Sequence, residues 1–213
     1  MIRYTAILLY AWSAVALGAA VGDLSKVNGS LDVAAGDQAG DVSTVNGSVT
    51  VGAAARVGEV DTVNGSVRID DGATLESAET VNGGITIDER VVVDGAVTTV
   101  NGGITLGRGS RVGGELGTVN GRLAVQGAEV GGGISTVNGD ILVASGSRVE
   151  GGIRVEKPSG WSWSRSKRPK VTIESGAVVN GTLEFEREVD LYVGRGATVG
   201  PVQGVEPVRH SMQ

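Results

Sequence analysis

Apolar residues recur along this chain at every sixth position. Val45, Val51, Val57, Val63, Ile69, Leu75, Val81, Ile87 and Val93 form one unbroken series. After one extra residue the series resumes at Val100, Leu106 and Val112, and after another at Val119, Val125, Val137, Val143, Val149 and Val155, with Gly131 in one slot. Two positions before most of these lies a second small or apolar side chain, as at Val49, Ala55, Val67, Ala73, Ile85, Ile104, Ser110, Leu123, Ile141, Ser147 and Ile153. In-out-in over three residues predicts a short strand with two inward side chains, and the break that follows predicts a corner. The columns lack the spacings of three and four that an amphipathic helix requires.

Three such sides close one coil, and the tripeptide Val-Asn-Gly marks it. It begins at Val27, Val45, Val63, Val81, Val100, Val119 and Val137, at intervals of 18 or 19 residues. A unit this short cannot bury its own apolar face, so units must stack. The expectation is an all-β, three-sided parallel β-helix over residues 21–202, with about 18 residues per coil and about nine coils. Right-handedness follows from the general preference of parallel crossovers. In this alignment the valine of each tripeptide points inward. Asn28, Asn46, Asn64, Asn82, Asn101, Asn120 and Asn138 then form a corner ladder, each tolerating left-handed backbone and bonding to the Asn above and below. Asn28, Asn46 and Asn64 also stand in Asn-Gly-Ser glycosylation triplets, but only three of seven copies keep the serine, which favours the ladder. Thr44, Thr62, Thr80, Thr99, Thr118 and Thr136 face outward in the same alignment. Such an array resembles the ice-binding faces of some antifreeze solenoids, with Asn where those carry a second Thr column.

The lattice is interrupted once. Val155 takes the slot of Val137, yet residues 156–170 follow in place of Asn-Gly. Val171-Thr172-Ile173 then matches Ile141-Leu142-Val143, and Val179 matches Val149, so Val179-Asn180-Gly181 belongs to a different corner. Phe185 returns to the corner slot, Leu191-Tyr192-Val193 with Val199 makes a last coil, and residues 203–213 remain as a C-terminal tail. The extruded loop carries Trp161, Trp163, Arg165, Lys167, Arg168 and Lys170. Trp interleaved with cations can stack on sugars or sit at an anionic membrane surface. The plain alternative is an extruded loop with no ligand.

Composition narrows the classes further. With 36 glycines and only 3% aromatics, a globular core of Phe and Trp is excluded, while a thin aliphatic core is not. The net charge of -6 gives no case for nucleic acid, and the absence of cysteine removes disulfides and thiolate metal sites. Arg3 precedes an uncharged, largely apolar run from Tyr4 to Gly22 that ends in small residues. This predicts a signal peptide over residues 1–20, or else a retained anchor, and places the chain in the periplasm or at the cell surface. The one histidine, His210, lies in the tail, and Asp41, Glu59 and Glu115 pair with no base. No Ser/His/Asp set, phosphate loop or calcium nonapeptide is present. The coil resembles that of hexapeptide acyltransferases, but those use a histidine in the solenoid region, and this solenoid has none. No catalytic, cofactor or metal site is expected.

Val171 to Leu183 and Leu191 to Gly200 each run apolar-x-apolar strand, Gly-Ala turn, Val-x-Gly. These segments resemble the bactofilins, a bacterial polymer-forming cytoskeletal family, and the likeness extends more loosely over residues 23–200. The resemblance implies a three-sided right-handed β-helix that assembles end to end without nucleotide. The functional expectation is an exported, non-enzymatic scaffold with itself as partner. The alternative is a cell-envelope module whose loop binds polysaccharide, peptidoglycan or anionic membrane.

Overall fold

The computed structural model describes residues 20–158 and 167–211. They form an all-β, three-sided parallel solenoid of about nine turns. The first face of each coil contributes to a ten-stranded sheet running from Leu24–Asn28 to Val202–Gly204. The second face builds another ten-stranded sheet, from Leu31–Val33 to Val208–Ser211. The third face builds a seven-stranded sheet from Thr74–Leu75 to Thr198–Val199, which single bridges at Arg56 continue down to Gln38. Equivalent residues pair one coil apart, Val42 with Val60 and Val60 with Ala78 on the first face. The core is a column of small aliphatic side chains, closed near its C-terminal end by the fully buried Phe185.

The phase of the first face differs from the six-residue reading. Thr44 is 4% exposed and Thr80 is 0% exposed, whereas Val45 is 41% and Val119 is 37% exposed. The threonines therefore point inward and the tripeptide valines form a ridge on the outside. This removes the outward threonine array on which an ice-binding face would depend. The cause lies in unequal corners. Inward pairs are Val42/Thr44, Val49/Val51, Ala55/Val57 and Val60/Thr62, so the first corner spans residues 45–48, the second 52–54 and the third 58–59. With a three-residue strand before each corner, the sides are seven, six and five residues long, which average to six while shifting one column by one place. Later coils lengthen the third corner to Asp94-Gly95-Ala96, which accounts for the 19-residue spacing of Ala78 and Val97.

Threonine is tolerated inside because each hydroxyl has a partner. Thr62, Thr80, Thr99 and Thr118 donate from Oγ1 to the carbonyls of Gly47, Gly65, Gly83 and Gly102 one coil below, each at 2.9 Å. Asn46, Asn64, Asn82, Asn101 and Asn120 donate from Nδ2 to the Oδ1 of the preceding Asn at 3.0 Å, and Asn138 does so at 3.1 Å, giving the ladder that the repeat predicts. None of these asparagines has positive φ. Left-handed backbone instead marks the second corner, where Gly36, Ala54, Gly72, Arg90, Gly109, Gly127, Gly146, Gly176 and Gly196 form one column. Glycine beside the ladder answers to stacking: a Cβ on Gly83 would lie 1.9 Å from the Gly65 carbonyl oxygen.

Residues 203–211 are no free tail. Val202–Gly204 pairs with Leu183–Phe185, and Val208–Ser211 pairs with Asp190–Val193, so the solenoid continues by most of another coil. Segment 1–19, where the signal peptide is expected, lies outside the described residues.

Candidate functional site

The interrupted corner is where the sequence places a site. Thr136 pairs with Val155 and Val155 with Phe185, so Val155 occupies the threonine slot, Glu156 the valine slot and Lys157 the asparagine slot. Ile141 and Val171 are register partners 30 residues apart, against 18 for Leu123 and Ile141. The insertion therefore leaves at the asparagine corner, as the lattice predicts.

Of the six loop residues singled out, Trp161, Trp163 and Arg165 lie outside the described residues. The other three are engaged by the solenoid itself. Lys167 Nζ lies 3.7 Å from the Asp140 carboxylate, and Arg168 pairs with Glu188 at 2.9 Å. The Lys170 N–H donates to Asp140 Oδ1 at 2.8 Å, while its Nζ lies 4.3 Å from the centre of the Tyr192 ring. Exposed ion pairs of this kind contribute little singly, but together they define how the chain re-enters the coil.

Arg187 is the residue that sequence reasoning missed. It stands in the asparagine slot two coils above Asn138, and its guanidinium reaches down to Asn138 Oδ1 at 3.0 Å and the Val137 carbonyl at 3.3 Å. It also donates to the Lys167 carbonyl at 3.2 Å. One side chain thus caps the asparagine ladder and holds the returning base of the loop. Burial lowers its pKa below the usual arginine range. The only sequence signal was a cation where the repeat calls for Asn.

His210 also departs from the expectation of an isolated tail residue. Its ring stacks on Tyr192 with centroids 4.4 Å apart, and Nε2 lies 3.2 Å from Asp190 Oδ1. These contacts fasten Val208–Ser211 to Asp190–Val193, its neighbour in the sheet one coil below.

Elsewhere the outer faces carry rows set by the coil repeat. Asp61 and Glu79 are register neighbours on the first face, beneath the valine ridge. Asp61 is held above the usual carboxylate range, first by burial and then by Glu79 and Asp41. Such a row raises one carboxyl by like charge without setting a base beside it. Surface depressions are troughs on strand faces; one of about 760 Å³ runs past Thr86, Thr105, Leu142 and Glu174. Among the described residues no three His, Cys, Asp or Glu side chains are grouped to hold a metal, and no helix is long and apolar enough to cross a membrane. No protein-family model, curated protein or solved structure matches the chain.

Proposed function

We propose that this protein is an exported, non-enzymatic structural scaffold whose solenoids associate end to end. The observation that carries this reading is the pair of open ends. Both ten-stranded sheets terminate on strands with one unpaired edge among the described residues: Leu24–Asn28 and Leu31–Val33 at one end, Val202–Gly204 and Val208–Ser211 at the other. All strands run parallel, so the first coil of one copy has the polarity needed to extend the last coil of another. Val205 and Val208, 39% and 37% exposed, add apolar surface at the C-terminal end. The likeness of Val171 to Leu183 and Leu191 to Gly200 to bactofilin sequence agrees with this assignment. Against a catalytic role stand the carboxylate row without a base and the use of His210 as a strand fastener.

Sedimentation velocity of the full chain over a wide concentration range tests the proposal. The Val208 N–H bonds back to Val189, so by strand alternation the Arg209 N–H points outward. Arg209→Pro removes that outward donor, a substitution that edge strands tolerate. Oligomers that grow with concentration and shrink in the variant support end association. A single monomeric species at every concentration and salt refutes it.

A further inference from the structure

The sequence contains an Asn-Gly pair outside the ladder, Asn180-Gly181, and the fold treats it differently from Asn46-Gly47, Asn64-Gly65, Asn82-Gly83 and Asn101-Gly102 inside it. In the ladder, Gly47, Gly65, Gly83 and Gly102 each donate their N–H to the carbonyl of the Asn one coil above, at 3.1, 3.1, 3.2 and 3.0 Å. The carboxamides of Asn46, Asn64, Asn82 and Asn101 are held on both sides by their neighbours at 3.0 Å. Asn180-Gly181 lies at the third corner instead, among glycines. Asn180 is exposed and makes one side-chain bond, from Nδ2 to Glu150 Oε2 at 2.6 Å. The Gly181 N–H has no hydrogen-bond partner among the described residues.

We infer that Asn180 is a site of spontaneous deamidation in the folded protein, and that the ladder shields Asn46, Asn64, Asn82 and Asn101 from the same reaction. The Gly181 backbone nitrogen attacks Asn180 Cγ, forming a C–N bond as the bond from Cγ to Nδ2 breaks. Ammonia leaves with the proton from the Gly181 nitrogen. Water then opens the five-membered imide at either carbonyl, giving aspartate or isoaspartate. The net change is gain of water and loss of ammonia, with no redox step. Glycine offers no side chain to hinder ring closure, and its free N–H can turn toward Cγ. At Gly47, Gly65, Gly83 and Gly102 that N–H is already committed, and the carboxamides of Asn46, Asn64, Asn82 and Asn101 cannot rotate without breaking two bonds.

The product alters the corner. A carboxylate at position 180 faces the Glu150 carboxylate where an N–H···O bond stood, so attraction becomes like-charge repulsion. An isoaspartate also inserts a backbone carbon where Gly181 already packs so tightly on Gly151 that a Cβ would lie 2.4 Å from its carbonyl carbon. The reaction therefore marks aged molecules by loosening the coils that follow the loop.

The test is peptide mapping by mass spectrometry of the full chain, incubated in heavy-oxygen water at neutral pH, folded and in denaturant. In the folded chain, Asn180 converts while the four shielded asparagines react at least about tenfold slower than in denaturant, the effect of one retained hydrogen bond. Asn180→Gln abolishes the mass gain in its own peptide, and Asn180→Asp raises amide hydrogen exchange beyond residue 179. Two results overturn the inference: Asn64 or Asn82 converting as fast as Asn180 in the folded chain, or Asn180 staying intact when folded but reacting when denatured. Neither readout depends on end association.

Discussion

Replacing Thr80 by valine tests the phase of the first face directly. The side chain keeps its shape and exchanges only a hydroxyl for a methyl. That hydroxyl is fully buried and donates to the Gly65 carbonyl at 2.9 Å. Gly83 roofs the same carbonyl so closely that a Cβ there would lie 1.9 Å from the oxygen, so water cannot take over as donor. Leaving this acceptor unpaired costs about 1–3 kcal/mol, offset by about 0.8 kcal/mol for the added buried methyl. A net destabilisation of up to about 2 kcal/mol is expected. Thr80→Ser keeps the bond and loses one buried methyl, at about 1 kcal/mol. Val63→Thr, on a ridge residue that is 39% exposed, changes stability by less than about 0.5 kcal/mol. Stacked repeats unfold with limited cooperativity, so native-state hydrogen exchange of the flanking amides is the appropriate assay. A neutral Thr80→Val beside a costly Val63→Thr would refute the assignment, because that is the outcome for valine in and threonine out.

Other perturbations separate the two reasons for glycine and read out the carboxylate row. Ala54 has φ of 57° at the left-handed second corner, so Ala54→Gly should raise the melting temperature, by about 1 kcal/mol in stability. Gly72→Ala, at φ of 69° with open space around it, should lower stability by a similar amount. Gly83→Ala should cost several times more, because its Cβ would collide with backbone of the coil below rather than strain its own dihedral; an effect no larger than that of Gly72→Ala contradicts this. Asp61 has a folded pKa above its unfolded one, so the folded state holds its proton more tightly. Below the ordinary carboxylate range both states are protonated and nothing is lost; stability falls as pH rises through the elevated pKa and stays lower above it. Asp61→Asn should therefore be more stable than the parent at neutral pH and level with it in acid, as measured by thermal unfolding across that range.

Much of the fold can be read from the residues because a short period repeats its own evidence. The three sides, the coil length, the resumption of the lattice at Val171 and the separate corner of Asn180 all follow from apolar columns. The phase of the first face does not, because threonine can satisfy its hydroxyl at a carbonyl one coil below while valine stands outside at a corner. Hydrophobicity alone ranks those neighbours the wrong way round. The glycines beside the ladder look like turn residues, yet what fixes them is contact between coils, which no single coil reveals. The last coil escaped notice because Val202-Gln203-Gly204 and Arg209-His210-Ser211 carry few inward aliphatic side chains. Arg187 was invisible for a related reason: it meets Asn138 across 49 residues, through the gap that the inserted loop opens.

End-to-end association is the central functional claim, and electron microscopy of the concentrated full chain addresses it most directly. Ten strands, with the joint to the next copy, make ten steps of the interstrand spacing, so each molecule adds roughly 48 Å of length. The account predicts rods of constant width whose lengths fall on multiples of that increment and shorten to single units with Arg209→Pro. Single units at every concentration, or side-by-side clusters indifferent to that substitution, would contradict it.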